Sequence, residues 1–260
     1  MTEKVFLVIG AGAGIGGHAA ARFAREGYHA VLARRSDEQG LARLVAQIEE
    51  AGGAATGTLL NAADDGSIEE LVERTEQDIG PVDTVLYNLG AQIGNRRLED
   101  TSHRTFELGW RLGCFGLFRL AHSLAPRMAA RGSGTILVTS ATAAVRGNAG
   151  QHSHAAAMGG RRMLCQTLNA EFGPQGVHVA HVVVDGSVDA PDTLGKLLGD
   201  RFEAYKEAKG EDGVIDPAAI AETFWHLTHQ PRNCWTHELD LRPFNNTAWW
   251  NDNPDPAIQD

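Results

Sequence analysis

The chain is poor in several features that would fix its class at once. It has only three cysteines, Cys114, Cys165 and Cys234. None forms a Cys-x-x-Cys pair, and the odd count argues against a disulfide framework and for a reducing, cytoplasmic setting. No apolar run approaches the ~20 residues that cross a bilayer, and the chain opens on a strand-like run that leaves no room for a secretion signal. Basic side chains are scarce: 23 Lys and Arg face 33 Asp and Glu, for a net charge of −10. That balance argues against nucleic acid or an anionic membrane as partner. At 260 residues the chain can be one α/β domain or two smaller ones, either able to bury a full core, and a reduced, cytoplasmic, enzyme-sized domain with a small-molecule substrate is expected.

Glycine is the exception, and its placement carries the most information. Gly10, Gly12, Gly14 and Gly16, with Ile15 between the last two, follow the apolar run 5–9 and precede an alanine-rich helical stretch closed by Gly27. Strand, glycine turn and helix in that order let bare backbone approach a phosphate at a helix N-terminus, where N–H groups and the dipole favour negative charge. A tight turn without a ligand is the simpler alternative.

Strand-like and helix-like runs then alternate. Strands are expected at 28–33, 56–60, 83–88, 135–140, 177–184 and 237–241. Asp37 caps a helix ended by Gly52, and Ser67-Ile68-Glu69-Glu70 reads as a capping box opening a helix through Ile79, stopped by Gly80-Pro81. Thr101 or Ser102 caps a long helix running to about Arg131; another ends at Gly173-Pro174, and Asp216-Pro217 opens one that reaches His229. Seven strands interleaved with helices, without linker or repeat, predict one α/β domain over 1–260 with a doubly wound parallel sheet.

On these motifs the chain resembles the short-chain dehydrogenase/reductase family over nearly its whole length. The matching residues are Gly10-x-x-x-Gly14-x-Gly16, Tyr87-Asn88-Leu89-Gly90 in place of Asn-Asn-Ala-Gly, and Asp185-Gly186 in place of Pro-Gly. The resemblance implies a Rossmann fold, a nicotinamide cofactor across the C-terminal strand ends, and a homodimer or homotetramer. It places Gly10, Gly12, Gly14, Ile15, Gly16, Asn88, Gly90 and Gly186 against the cofactor, with a substrate lid at 187–212 and a tail at 242–260. Asn61 stands where the family has an adenine-contacting Asp. The second strand ends Ala33-Arg34-Arg35. An acid there would suit a ribose 2′-hydroxyl, whereas guanidinium groups suit a 2′-phosphate, so NADP(H) is expected over NAD(H).

The chain departs from the family at the chemistry. The family's Asn, Ser and Tyr-x-x-x-Lys positions fall on Gly113, Ala141, His154 and Met158, and its carboxamide-holding Thr on Ala190. No tyrosine lies between Tyr87 and Tyr205, and Arg161 and Arg162 are the cations of that helix window. His154 is expected as the acid/base, with Ser140 or Thr142 as hydroxyl donor. A phenol near pKa 10 needs a cation to approach neutrality, whereas imidazole near 6.5 already titrates there. Its shorter reach, by roughly 2 Å, calls for a shifted substrate or one bridging water. His152, Met158, Ser187 and Asp192 are expected on the substrate side, and no metal is expected, because nothing near His152 and His154 completes a ligand set. Trp110 is read as a core or oligomer contact, and Trp249-Trp250 as cover for a subunit interface or neighbouring active site. Three functions stay open: an NADP(H)-dependent oxidoreductase, a non-redox lyase, dehydratase or isomerase using His154, and a catalytically silent nucleotide-binding protein.

Overall fold

The computed structural model describes residues 4–90 and 95–251. Seven parallel strands form one sheet in the order β3-β2-β1-β4-β5-β6-β7. They are β1 (Lys4–Ile9), β2 (Tyr28–Arg34), β3 (Ala54–Leu59), β4 (Val82–Tyr87), β5 (Gly134–Ala141), β6 (Val177–Val184) and β7 (Glu238–Leu241). The order reverses between β1 and β4, whose register pairs Ile9 with Tyr87. Their C-terminal ends open the crevice in which such sheets place ligands.

Strand periodicity explains the two-sided core. In β1, Val5, Leu7 and Ile9 pack with Leu117, Leu120 and Leu124 on one face. Phe6 and Val8 point the other way, onto Phe23, Leu32 and Phe224. A parallel sheet covered by helices on both faces needs such unbroken apolar strands.

The helices are α1 (Ile15–Ala24), α2 (Glu38–Glu50), α3 (Ser67–Asp78), α4 (His103–Trp110), α5 (Gly116–Arg131), α6 (His152–Phe172), α7 (Lys196–Leu198), α8 (Phe202–Lys209) and α9 (Pro217–Thr228). Asp37, Ser102 and Asp216 cap α2, α4 and α9 through their side chains. Two expectations are corrected. Gly66, not Ser67, is the N-cap of α3, because the Ser67 hydroxyl donates to the carbonyls of Asn61 and Asp64 instead. The long helix is also not uniform: a π-helical turn at Arg111–Phe115 separates α4 from α5. It sets Gly113 at the wider turn, a distortion that recurs at functional sites.

Candidate functional site

The glycine turn leaves β1 with Gly10 at φ +102, a left-handed conformation that favours glycine. A Cβ on Gly10 would stand 2.7 Å from the Asn88 carbonyl oxygen, and one on Gly16 2.5 Å from that of Gly10. Those two glycines therefore let the protein's own backbone pack. Gly12 differs, since a Cβ there would meet only the Asp192 side chain, at 3.6 Å. Its surface faces outward from the turn, where a ligand can approach.

Asn88 fastens this turn to the sheet. Its Nδ2 donates to the Gly10 carbonyl at 2.9 Å, and its Oδ1 accepts from the Thr139 hydroxyl at 2.9 Å. The ends of β1, β4 and β5 are thereby tied together at the crevice. The first turn of α1 follows directly; Gly17 N and His18 N donate to the Gly12 and Gly14 carbonyls at 2.8 and 3.2 Å, so the N–H groups of Ile15 and Gly16 head the helix without an intrahelical acceptor. Donors and dipole converge there on one anion position.

That position already faces an anion of the chain itself. Asp192 Oδ2 accepts from Ala13 N at 3.1 Å and lies 3.3 Å from Arg34 Nη2. Asp192 Oδ1 lies 3.3 Å from Lys196 Nζ. The Ala13 N–H, with help from Lys196 and Arg34, holds the carboxyl below its ordinary range, against the effect of burial. Asp192, expected on the substrate side, thus lies against the glycine turn. Arg34 also pairs with Asp37 at 3.2 Å, whereas Arg35 is exposed and has no ion pair among the described residues. Asn61 is exposed at the end of β3, its Nδ2 donating to Asp64 Oδ1 at 2.7 Å.

His154 and Met158, on which the resemblance sets the family's acid/base pair, lie on α6. His154 is half-buried in the first turn of α6 and lines a shallow hollow with His152, Arg96 and Thr101. Ser153 Oγ donates to the Phe106 carbonyl at 3.0 Å and pins this helix start to α4. Met158, one turn further, is 2 % exposed and packs with Ala143, Ala144 and Ala157. Ser140 Oγ lies 3.8 Å from Met158 Sδ and is buried with it. Thr142 is half-buried at the start of a short 3₁₀ turn. Met158 thus brings apolar volume and no charge to this part of α6.

The cation of this region is a residue to which sequence reasoning gave no role. Arg161 is 1 % exposed and donates to three main-chain carbonyls: Gly113 at 2.5 Å, Thr139 at 2.6 Å and Leu89 at 2.7 Å. Its guanidinium stands 5.2 Å from the Tyr87 ring centre. Burial lowers its pKa, and the carbonyls supply what a carboxylate elsewhere would. A second side chain missed from sequence is Tyr205 on α8, whose hydroxyl lies 2.6 Å from Ser187 Oγ. Ser187 follows Gly186, where a Cβ would stand 2.6 Å from Pro243 Cδ. Gly90 ends the described stretch after β4.

The tail folds back on its own chain. Trp249 N donates to Asp185 Oδ2 at 3.1 Å, Arg146 donates to the Trp249 carbonyl at 2.7 Å, and Arg242 stacks 4.3 Å from the Trp250 ring. The part of the expected tail at 252–260 lies outside the described residues. No helix among the described residues is long and apolar enough to cross a membrane.

Known proteins match this arrangement. The profile of the short chain dehydrogenase family covers residues 4–194. The short-chain reductase protein NovJ of Streptomyces niveus is 34% identical over 215 residues, spanning 82% of this chain and 80% of the relative. The solved short-chain dehydrogenase of Rhodopseudomonas palustris superposes with a TM-score of 0.77 at 32% identity, over 93% of this chain and 99% of that one. An actinorhodin polyketide ketoreductase solved with NADPH shares the fold, with a TM-score of 0.81 at 24% identity, covering 93% of this chain and 96% of that one. Glycine turn, strand order and these matches agree: the chain belongs to the short-chain dehydrogenase family.

Proposed function

We propose that the chain is an NADP(H)-dependent oxidoreductase acting on a small carbonyl or alcohol, with His154 in the proton-transfer role of the family's tyrosine. The observation that carries this reading is the glycine turn, clamped by Asn88 and followed across the sheet by Arg34 and Arg35. The neighbour with NADPH shares the fold, as does a short-chain oxidoreductase solved with NADP at 21% identity and a TM-score of 0.78.

A bound reduced nicotinamide supplies hydride; the chain's residues supply the rest. Gly12, Ala13 and the start of α1 receive the pyrophosphate. Arg34 and Arg35 take the 2′-phosphate, and Asn61 lies on the adenine side. His154 delivers a proton from an imidazole nitrogen to the substrate oxygen. Thr142 steadies that oxygen in preference to Ser140, whose hydroxyl is turned to Met158 Sδ. His152 and Ser187 line the substrate side.

The reading is tested by fluorescence titration with NADPH, followed by a carbonyl panel monitored at the reduced-nicotinamide band. Saturable binding and consumption of NADPH support it; no binding overturns it. A non-redox enzyme is the second reading. It is favoured by the apolar Met158 and Ala190, buried where the family holds the ribose and carboxamide. It predicts that NADPH binds and is not consumed.

The same reading includes a homodimer or homotetramer in the cytoplasm. Phe106, Leu108, Trp110 and Phe118 are exposed on α4 and α5, and Trp110, Phe115 and Phe118 stack in sequence. Such an aromatic surface calls for a partner.

A further inference from the structure

We propose that Asp192 is an intramolecular competitor of the dinucleotide: its carboxylate latches the lid onto the glycine turn, and a phosphate binds there by displacing it. The inference rests on the nucleotide reading above and adds a gate to it.

Three observations converge on Asp192. First, its Oδ2 takes the N–H of Ala13, a donor inside the turn, from a residue 179 positions away in sequence. Second, the same oxygen contacts Arg34, the half-buried arginine at the end of β2. One guanidinium is therefore shared between two carboxylates, those of Asp37 and Asp192. Third, the space above Gly12, the turn glycine whose missing Cβ faces outward, is bounded by the Asp192 side chain. In the reading above, backbone donor and open glycine surface belong to the pyrophosphate and the cation to the 2′-phosphate. One carboxylate engages all three.

Two anions cannot share that position, because like charges a few ångströms apart repel and the donors are already committed. Asp192 lies in the π-helical segment Pro191–Gly195, which leads directly into α7 and the rest of the lid. Displacing the carboxylate thus also frees the root of the lid. A ligand that binds the open form alone has its apparent affinity lowered by the fraction open. A lid that stays latched until phosphate arrives couples dinucleotide binding to access to the substrate side.

Asp192→Asn keeps the side chain's shape and removes its charge; Asp192→Ser removes most of the side chain. Stopped-flow and equilibrium titrations with NADPH and NADH are run on the whole chain and both variants. Both variants should bind each dinucleotide about tenfold more tightly, the factor for a closed form favoured about ten to one. The gain should come from faster association, as expected when a pre-equilibrium is removed. The melting temperature without ligand should fall, and the shift on adding NADPH should grow. If the unmodified chain binds NADPH and both variants bind equally or more weakly, the latch is refuted while the nucleotide reading stands. If neither the unmodified chain nor the variants bind, the nucleotide reading falls and the latch falls with it.

Discussion

Arg161 Nε lies 2.5 Å from the carbonyl oxygen of Gly113, so a fully buried guanidinium on α6 holds the π-helical turn between α4 and α5. Its two other nitrogens hold Thr139 at the end of β5 and Leu89 after β4. One side chain thereby joins α6, the π-helical turn, β5 and the segment after β4. The planar fork matters, because it aims several donors in fixed directions.

Replacing Arg161 with Met should therefore destabilise the chain by about 3–5 kcal/mol, since two buried carbonyls and a partly buried one lose their donor. Arg161→Lys should recover only part of this, having no fork. Urea unfolding followed by circular dichroism measures both. A loss under about 1 kcal/mol for the Met variant would show that water replaces the guanidinium.

Fold and glycine turn were largely legible in the sequence, and the reasons are local. Apolar strands, capping residues such as Asp37 and Asp216, and glycines at fixed spacing each leave a one-dimensional trace. Arg161 and Tyr205 left no trace of a role, and Asp192, expected on the substrate side, left none of its bond to the glycine turn. Their meaning comes from partners far away in sequence: Gly113, Ala13 and Ser187. The capping-box reading failed at Ser67 because a serine hydroxyl can also bond preceding carbonyls, which the pattern alone does not reveal.

Cofactor discrimination follows from the arginines. NADPH should bind about ten- to hundredfold more tightly than NADH, the worth of a charge-assisted phosphate contact. Arg34→Ala should erase that preference, and Arg35→Ala, which touches no part of the Asp192 latch, should reduce it with NADH affinity little changed. Isothermal titration calorimetry decides. Equal affinity of the unmodified chain for both dinucleotides would refute the assignment.

Acid stability should depend on His181. Its imidazole is held neutral by burial, which lowers the pKa to about 4, although Glu238 beside it pulls upward. The unfolded chain keeps a value near 6.5, so between these values it binds the extra proton. Stability should thus be full above pH ~6.5 and fall as pH drops toward ~4, by at most about 3 kcal/mol from this group. Burial also lowers the His178 pKa, which acts in the same direction. Urea midpoints across pH 4–7 should show the slope, and His181→Asn should flatten it. An identical slope in the variant would assign the effect elsewhere.

The exposed aromatic face of α4 and α5 should be covered in solution. Light scattering at micromolar concentration should give a dimer or tetramer, and Phe118→Glu should shift it toward the 27.9 kDa single chain. A monomer before mutation would contradict this.

The central claim is that His154 transfers the proton, and its most direct test is the pH profile of turnover with and without that side chain. With any carbonyl substrate that consumes NADPH, kcat/KM should follow one ionisation between roughly pH 5.5 and 7.5 instead of the alkaline limb of a phenol. His154→Phe should lower the rate by ~10²–10⁴ while NADPH affinity stays nearly constant. Unchanged turnover in His154→Phe would contradict the account and move the search for the proton donor to Tyr205 and Ser187.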